Sequence, residues 1–117
     1  MQEASPLDQM RRLERQILGI IAYLDVDLIG RRTAQTISQL QRDIGDARLD
    51  LRDFETADTR AELVEYGKEA LKRLDQLRTT ILKASESGIF SSVDVIEMTT
   101  SLDRMGSAVS ASFRPGE

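Results

Sequence analysis

A chain of 117 residues with a formal charge of −4 is long enough for one domain with a real core, and too acidic to coat nucleic acid through phosphate contacts. It contains no Cys and no His, which excludes disulfides, zinc–thiolate sites, thiolate nucleophiles, imidazole acid–base chemistry and the Glu-x-x-His pairs of di-iron bundles. With 40% hydrophobic and 31% charged residues the composition is that of a folded protein rather than a disordered one.

The N-terminus MQEASPLDQMRR lacks a basic region followed by an apolar run, so no secretory signal is expected. The longest apolar stretch, 17–24, is too short to span a bilayer. A cytoplasmic location is the resulting expectation.

The first helix starts at Ser5-Pro6-Leu7-Asp8, where Ser5 suits the N-cap, Pro6 the first helical position and Asp8 the positive helix end. Leu7, Met10, Ile17, Ile21, Leu24 and Leu28 share one face, which predicts a helix over about 7–29. Residues 25–32 form the ambiguous stretch. Leu28 and Ile37 would fall on opposite faces of a continuous helix, which favours a turn there, with Gly30 as a left-handed cap. The alternative is one helix of about 49 residues burying its two faces against different chains. Asp25-x-Asp27-x-x-Gly30 has the opening spacing of an EF-hand calcium loop. Ile29 then stands where an oxygen ligand belongs, and Thr36 where the twelfth-position Glu belongs. No metal and no cofactor are therefore expected.

Two stripes with alternating steps of three and four follow: Ile37, Leu40, Ile44, Ala47, Leu51, Phe54, and then Leu63, Gly67, Ala70, Leu74, Leu77, Ile81, Ala84. They predict helices over about 32–55 and 60–86 that pack along a coiled-coil-like seam. Thr59-Arg-Ala-Glu62 matches a capping box, and the short connection before it makes the pair an antiparallel hairpin. Folding about residues 57–59 sets Asp43 opposite Arg73, and Asp50 near Tyr66. Asp43, Asp46, Asp50 and Asp53 draw an acidic ridge along one flank, either a solvated flank or a docking strip for a basic partner helix. Gly67 interrupts the second stripe at a cost of about 1 kcal/mol in helix propensity. It makes room either for a bulky side chain such as Phe54 or Tyr23, or for a ligand.

Ser87-Gly88 ends the third helix, and Phe90-Ser91 begins a fourth over about 92–111, with Ser91 as cap. Its stripe is Val95, Met98, Leu102, Met105 and Val109. Between Ala84 and Phe113 stand ten Ser or Thr and only five charged residues, so this helix relies on tertiary contacts more than on its own propensity. The basic clusters Arg11, Arg12, Arg15 and Arg31-Arg32 lack interleaved aromatics and read as solvated surface. Tyr23 with Asp25, and Tyr66 with Glu62 and Glu65, could in principle form a carboxylate–phenol site; their spacing demands no chemistry.

Together these features predict an all-α antiparallel four-helix bundle over 1–117, with 1–5 and 112–117 frayed. The function expected is a non-enzymatic protein–protein interaction module, adaptor-, chaperone-like or regulatory. It would use the C-terminal helix and its groove: Phe90, Val95, Met98, Leu102, Met105 and Val109. The partner would be another protein or the chain itself as a homo-oligomer; nucleic acid is disfavoured. A purely structural homo-oligomer is the alternative, and a small-molecule-binding or enzymatic bundle a lesser one.

Overall fold

Each helix of the chain begins where its sequence supplies an oxygen or a ring to start it, with one exception. In the computed structural model, which describes residues 4–25 and 27–113, four helices run in order: α1 (Pro6–Ala22), α2 (Arg31–Glu55), α3 (Arg60–Glu86) and α4 (Ser92–Ala111). Ser5, Thr59 and Ser91 accept from the amides of Asp8, Glu62 and Asp94. At α3 the capping box closes one residue early: the Glu62 carboxylate reaches back to the Asp58 amide at 3.2 Å, not to that of Thr59. The exception is α2, which starts at Gly30 without a side-chain cap.

Packing follows chain order around a square. α1 lies against α2 and α4, and α3 lies against α2 and α4; the diagonal pairs α1/α3 and α2/α4 have no close backbone approach. The bundle is therefore antiparallel at every adjacent pair, and the long α2–α3 hairpin forms its spine. The core is the union of the four stripes: Met10, Leu13 and Ile17 from α1; Leu40, Ile44, Ala47, Leu51 and Phe54 from α2; Ala70, Leu74, Leu77, Ile81 and Ala84 from α3; Met98, Leu102, Met105 and Val109 from α4.

Three expectations are corrected. First, α1 ends at Ala22, seven residues short of 29, and turns and bends at residues 23, 24 and 27–29 separate it from α2, which disposes of the single long helix. Asp25 is the cause. Its side chain accepts from the Asp27 amide at 3.0 Å and its carbonyl from the Leu28 amide at 3.0 Å, an arrangement that competes with helix continuation. Leu28 consequently leaves the core face and is 83% exposed. Second, Gly30 is not a left-handed cap: its φ is −76°, and it is the extended N-cap of α2.

Third, the α2–α3 register is displaced by one heptad. Arg73 pairs with Asp50 rather than Asp43, and Asp43 meets Thr80. Side chains on a helix lean toward its N-terminus. In an antiparallel pair both partners lean apart from the residues directly level with them, so contacts form with residues farther along each helix. A heptad displacement preserves the facing stripes, which is why the seam survives it.

Candidate functional site

The fourth helix carries the residues expected to meet a partner, and the structure turns them inward. Met98, Leu102, Met105 and Val109 are at most 2% exposed, Phe90 is buried beside them, and Val95 is half-buried against the core. Ahead of α4, the Gly88 φ of +79° permits the reversal out of α3. The Ile89 amide donates to Ala84 O and the Gly88 amide to Ser85 O, both at 3.0 Å, closing a Schellman motif that delivers Phe90 into the core.

At its far end α4 is fastened by Phe113, a residue expected to fray. Its ring lies where a Cβ on Gly67 would be, 2.5 Å from such an atom, with the Phe54 ring 3.3 Å away. The glycine notch thus receives Phe54, as expected, and Phe113, which was not foreseen; Tyr23 lies elsewhere and is 93% exposed. The missed signal was present: Phe113 is four residues beyond Val109 and continues the α4 stripe.

The acidic ridge faces α3. Asp43 is buried and accepts from Thr80 Oγ1 at 2.5 Å and Gln39 Nε2 at 2.8 Å. Arg73 donates to Asp50 at 3.0 Å and lies 3.6 Å from Asp46. The hydrogen bond to Asp50 raises the Arg73 pKa above the usual arginine value, opposed by burial and reinforced by the charges of Asp46, Asp50 and Glu69. Asp53 is half-buried with no side-chain partner among the described residues. Three of the four ridge carboxylates therefore meet side chains of the bundle itself, Asp46 at the exposed surface. Tyr23 and Tyr66 make no hydrogen bond to a carboxylate among the described residues, and no group of three acidic side chains there is placed to hold a metal ion.

Openings of about 650 Å³ and 370 Å³ lie on the α2–α3 and α3–α4 seams, and a larger one lies between α1 and α4. A groove of about 910 Å³ runs along this seam, floored by Leu13 and flanked by Gln9, Arg12 and Gln16 on one wall and Ser101, Arg104 and Ala108 on the other. Its origin is in the sequence. The α4 flank turned toward α1 reads Glu97, Ser101, Arg104, Ala108, a 4,3,4 spacing in which two positions are too short to bridge the helices. Gln16 Nε2 to Glu97 at 3.2 Å is the polar tie across it. Sequence reasoning placed Arg12 among solvated charges and did not single out Arg104; the pattern of small residues at heptad spacing opposite α1 was the available signal.

No family model, curated protein or solved structure matches the chain. Among the described residues no helix is long and apolar enough to cross a membrane.

Proposed function

We propose that the protein is a non-enzymatic interaction module in which α4 and the seam beside it receive a partner. The observation that carries this reading is the α1–α4 groove, at about 910 Å³ larger than the openings of about 650 Å³ between α2 and α3 and about 370 Å³ between α3 and α4. A fifth helix laid there would touch α1 and α4 at once, extending the bundle by its own packing rule. The composition of α4 supports the reading: rich in hydroxyls and poor in charge pairs, it is the helix most dependent on its neighbours and the one most readily adjusted by a partner. The absence of His and Cys, and of any paired phenol and carboxylate among the described residues, argues for binding over catalysis.

The structural alternative, a homo-oligomer, draws on a different observation. Val93 and Ile96 on α4 are 64% and 65% exposed, and Tyr23 and Leu28 in the α1–α2 turn more so. One experiment separates the two. A photo-activated cross-linking residue at Ser107, on the groove, and another at Lys72, on the outer face of α3, are compared in the cell that makes the protein. A discrete adduct of different mass from Ser107 alone supports the interaction module. An adduct of twice the chain's mass supports the homo-oligomer. No adduct specific to Ser107 overturns the docking role of the groove.

A further inference from the structure

We infer that the α1–α4 groove selects an acidic amphipathic helix of another protein, whose carboxylates engage Arg12 and Arg104. The inference rests on the docking role of the groove and names the chemistry of the occupant. The protein as a whole is acidic, with a charge of −4, yet the charged residues lining the groove are two arginines and one aspartate, Arg12, Arg104 and Asp103. Asp103, on the groove, pairs with Arg78, and Asp8 lies 3.7 Å from Arg11; Glu97 accepts from the neutral Gln16 and keeps its charge, about two helical turns before Arg104. Arg12 and Arg104 have no carboxylate at ion-pair distance among the described residues, and both are exposed. They stand on opposite walls of the same groove.

Their heights agree. Counting down α1 and α4 from the Gln16–Glu97 tie, Arg12 lies about 6 Å and Arg104 about 10 Å along the axis, within one helical turn of each other. Two guanidiniums converging on one segment from two walls suit carboxylates on a single strip of a helix, and their planar donors favour bidentate engagement. The floor decides between a segment and a free anion. Ala4 and Ala108 offer apolar surface over the buried Leu13, and Thr100, Ser101 and Ser107 short hydroxyls, along an open trough. A small anion would find no enclosed cradle there, whereas an apolar helix face would cover Ala4 and Ala108 while its acidic edge met the arginines. Nucleic acid fits poorly, because the trough offers no aromatic ring for stacking and the rest of the surface repels phosphates.

The test titrates the isotopically labelled full chain with a synthetic helix bearing leucine on one face and glutamate on the other, followed by amide chemical shifts. A glutamine twin of that peptide, and inorganic phosphate, are the controls. The expected result is shifts concentrated on α1 and α4, with binding about tenfold tighter for the glutamate peptide than for its twin at low salt, a preference that fades as salt is raised. Arg12→Gln and Arg104→Gln should each weaken binding about threefold, the range of a partly exposed ion pair, and Lys72→Gln should leave it unchanged. Equal binding of the glutamine twin in the groove overturns the acidic selectivity while leaving the docking role standing. Phosphate moving the same amides equally at matched concentration overturns the choice of a protein segment. Absence of groove shifts with either peptide overturns the inference outright, and the Ser107 cross-link then decides independently whether the groove docks anything.

Discussion

Replacing Gly67 by Ala tests whether the notch in α3 is a packing device or a binding recess. Two terms of similar size oppose each other. Alanine is favoured over glycine in a helix interior by about 1 kcal/mol. Against this, the new methyl would sit 2.5 and 2.8 Å from two atoms of the Phe113 ring and 3.3 Å from Phe54. The Phe113 ring must move by about 1 Å to restore ordinary contact. It is the end of a flexible side chain just past the last turn of α4, so the ring yields before the helix does. Full burial of such a ring is worth about 1.5–3 kcal/mol, so displacing this half-buried one forfeits about 1–2 kcal/mol. The net change in global stability should therefore lie within about 1 kcal/mol of zero. The clearer readout is a double-mutant cycle in urea: Phe113→Ala should cost about 1–2 kcal/mol in the parent and close to nothing beside Gly67→Ala. Amides of 109–113 should exchange faster in Gly67→Ala while those of α2 and α3 stay as they were. Equal cost of Phe113→Ala in both backgrounds, or a loss above about 3 kcal/mol from Gly67→Ala alone, would refute the latch.

Three further predictions are open to measurement. Thr80→Val keeps shape but removes the hydroxyl that donates to buried Asp43 at 2.5 Å, and should cost about 2 kcal/mol by urea denaturation, the size expected for a hydrogen bond to a carboxylate. Asp43→Asn should cost less than about 1 kcal/mol, because its amide can donate to Thr80 while the hydroxyl turns to Gln76 O, already 3.2 Å away. Gly88→Ala meets no neighbouring atom but must hold a φ of +79°, so thermal denaturation should show a loss of about 1 kcal/mol from backbone strain alone. Ser101→Leu should raise the unfolding midpoint by filling the seam and should weaken the glutamate peptide; a fall in the midpoint would mean that the small residue is there for close helix approach rather than for an opening.

The bundle was legible because its information is periodic. The α2, α3 and α4 limits follow from the stripes and from Thr59, Gly88 and Ser91, each of which acts on backbone groups within a few residues. What escaped depends on distance or competition. The end of α1 was set by the Asp25 side chain outcompeting a stripe that continued on paper to Leu28. The α2–α3 register depended on the lean of side chains, a three-dimensional property that counting from a turn does not contain. The groove was harder still, because an opening is defined by what two separate helices fail to fill. Ser101 and Ala108 carry no signal until α1 is known to lie opposite them.

The composition that weakens α4 as a helix also shapes the surface beside it. Its Ser and Thr positions and Gly106 lower its intrinsic helicity, so the helix holds its form through Met98, Leu102, Met105 and Val109 in the core and through Phe113 at its end. On the flank toward α1, those small side chains leave the trough open and let Arg12 and Arg104 face it from both walls. A partner helix that filled the trough would add the contacts α4 lacks on that side. Occupation of the groove and stabilisation of α4 are thus linked by mass action: whatever binds there must slow the opening of α4, and any change that loosens α4 must weaken what binds.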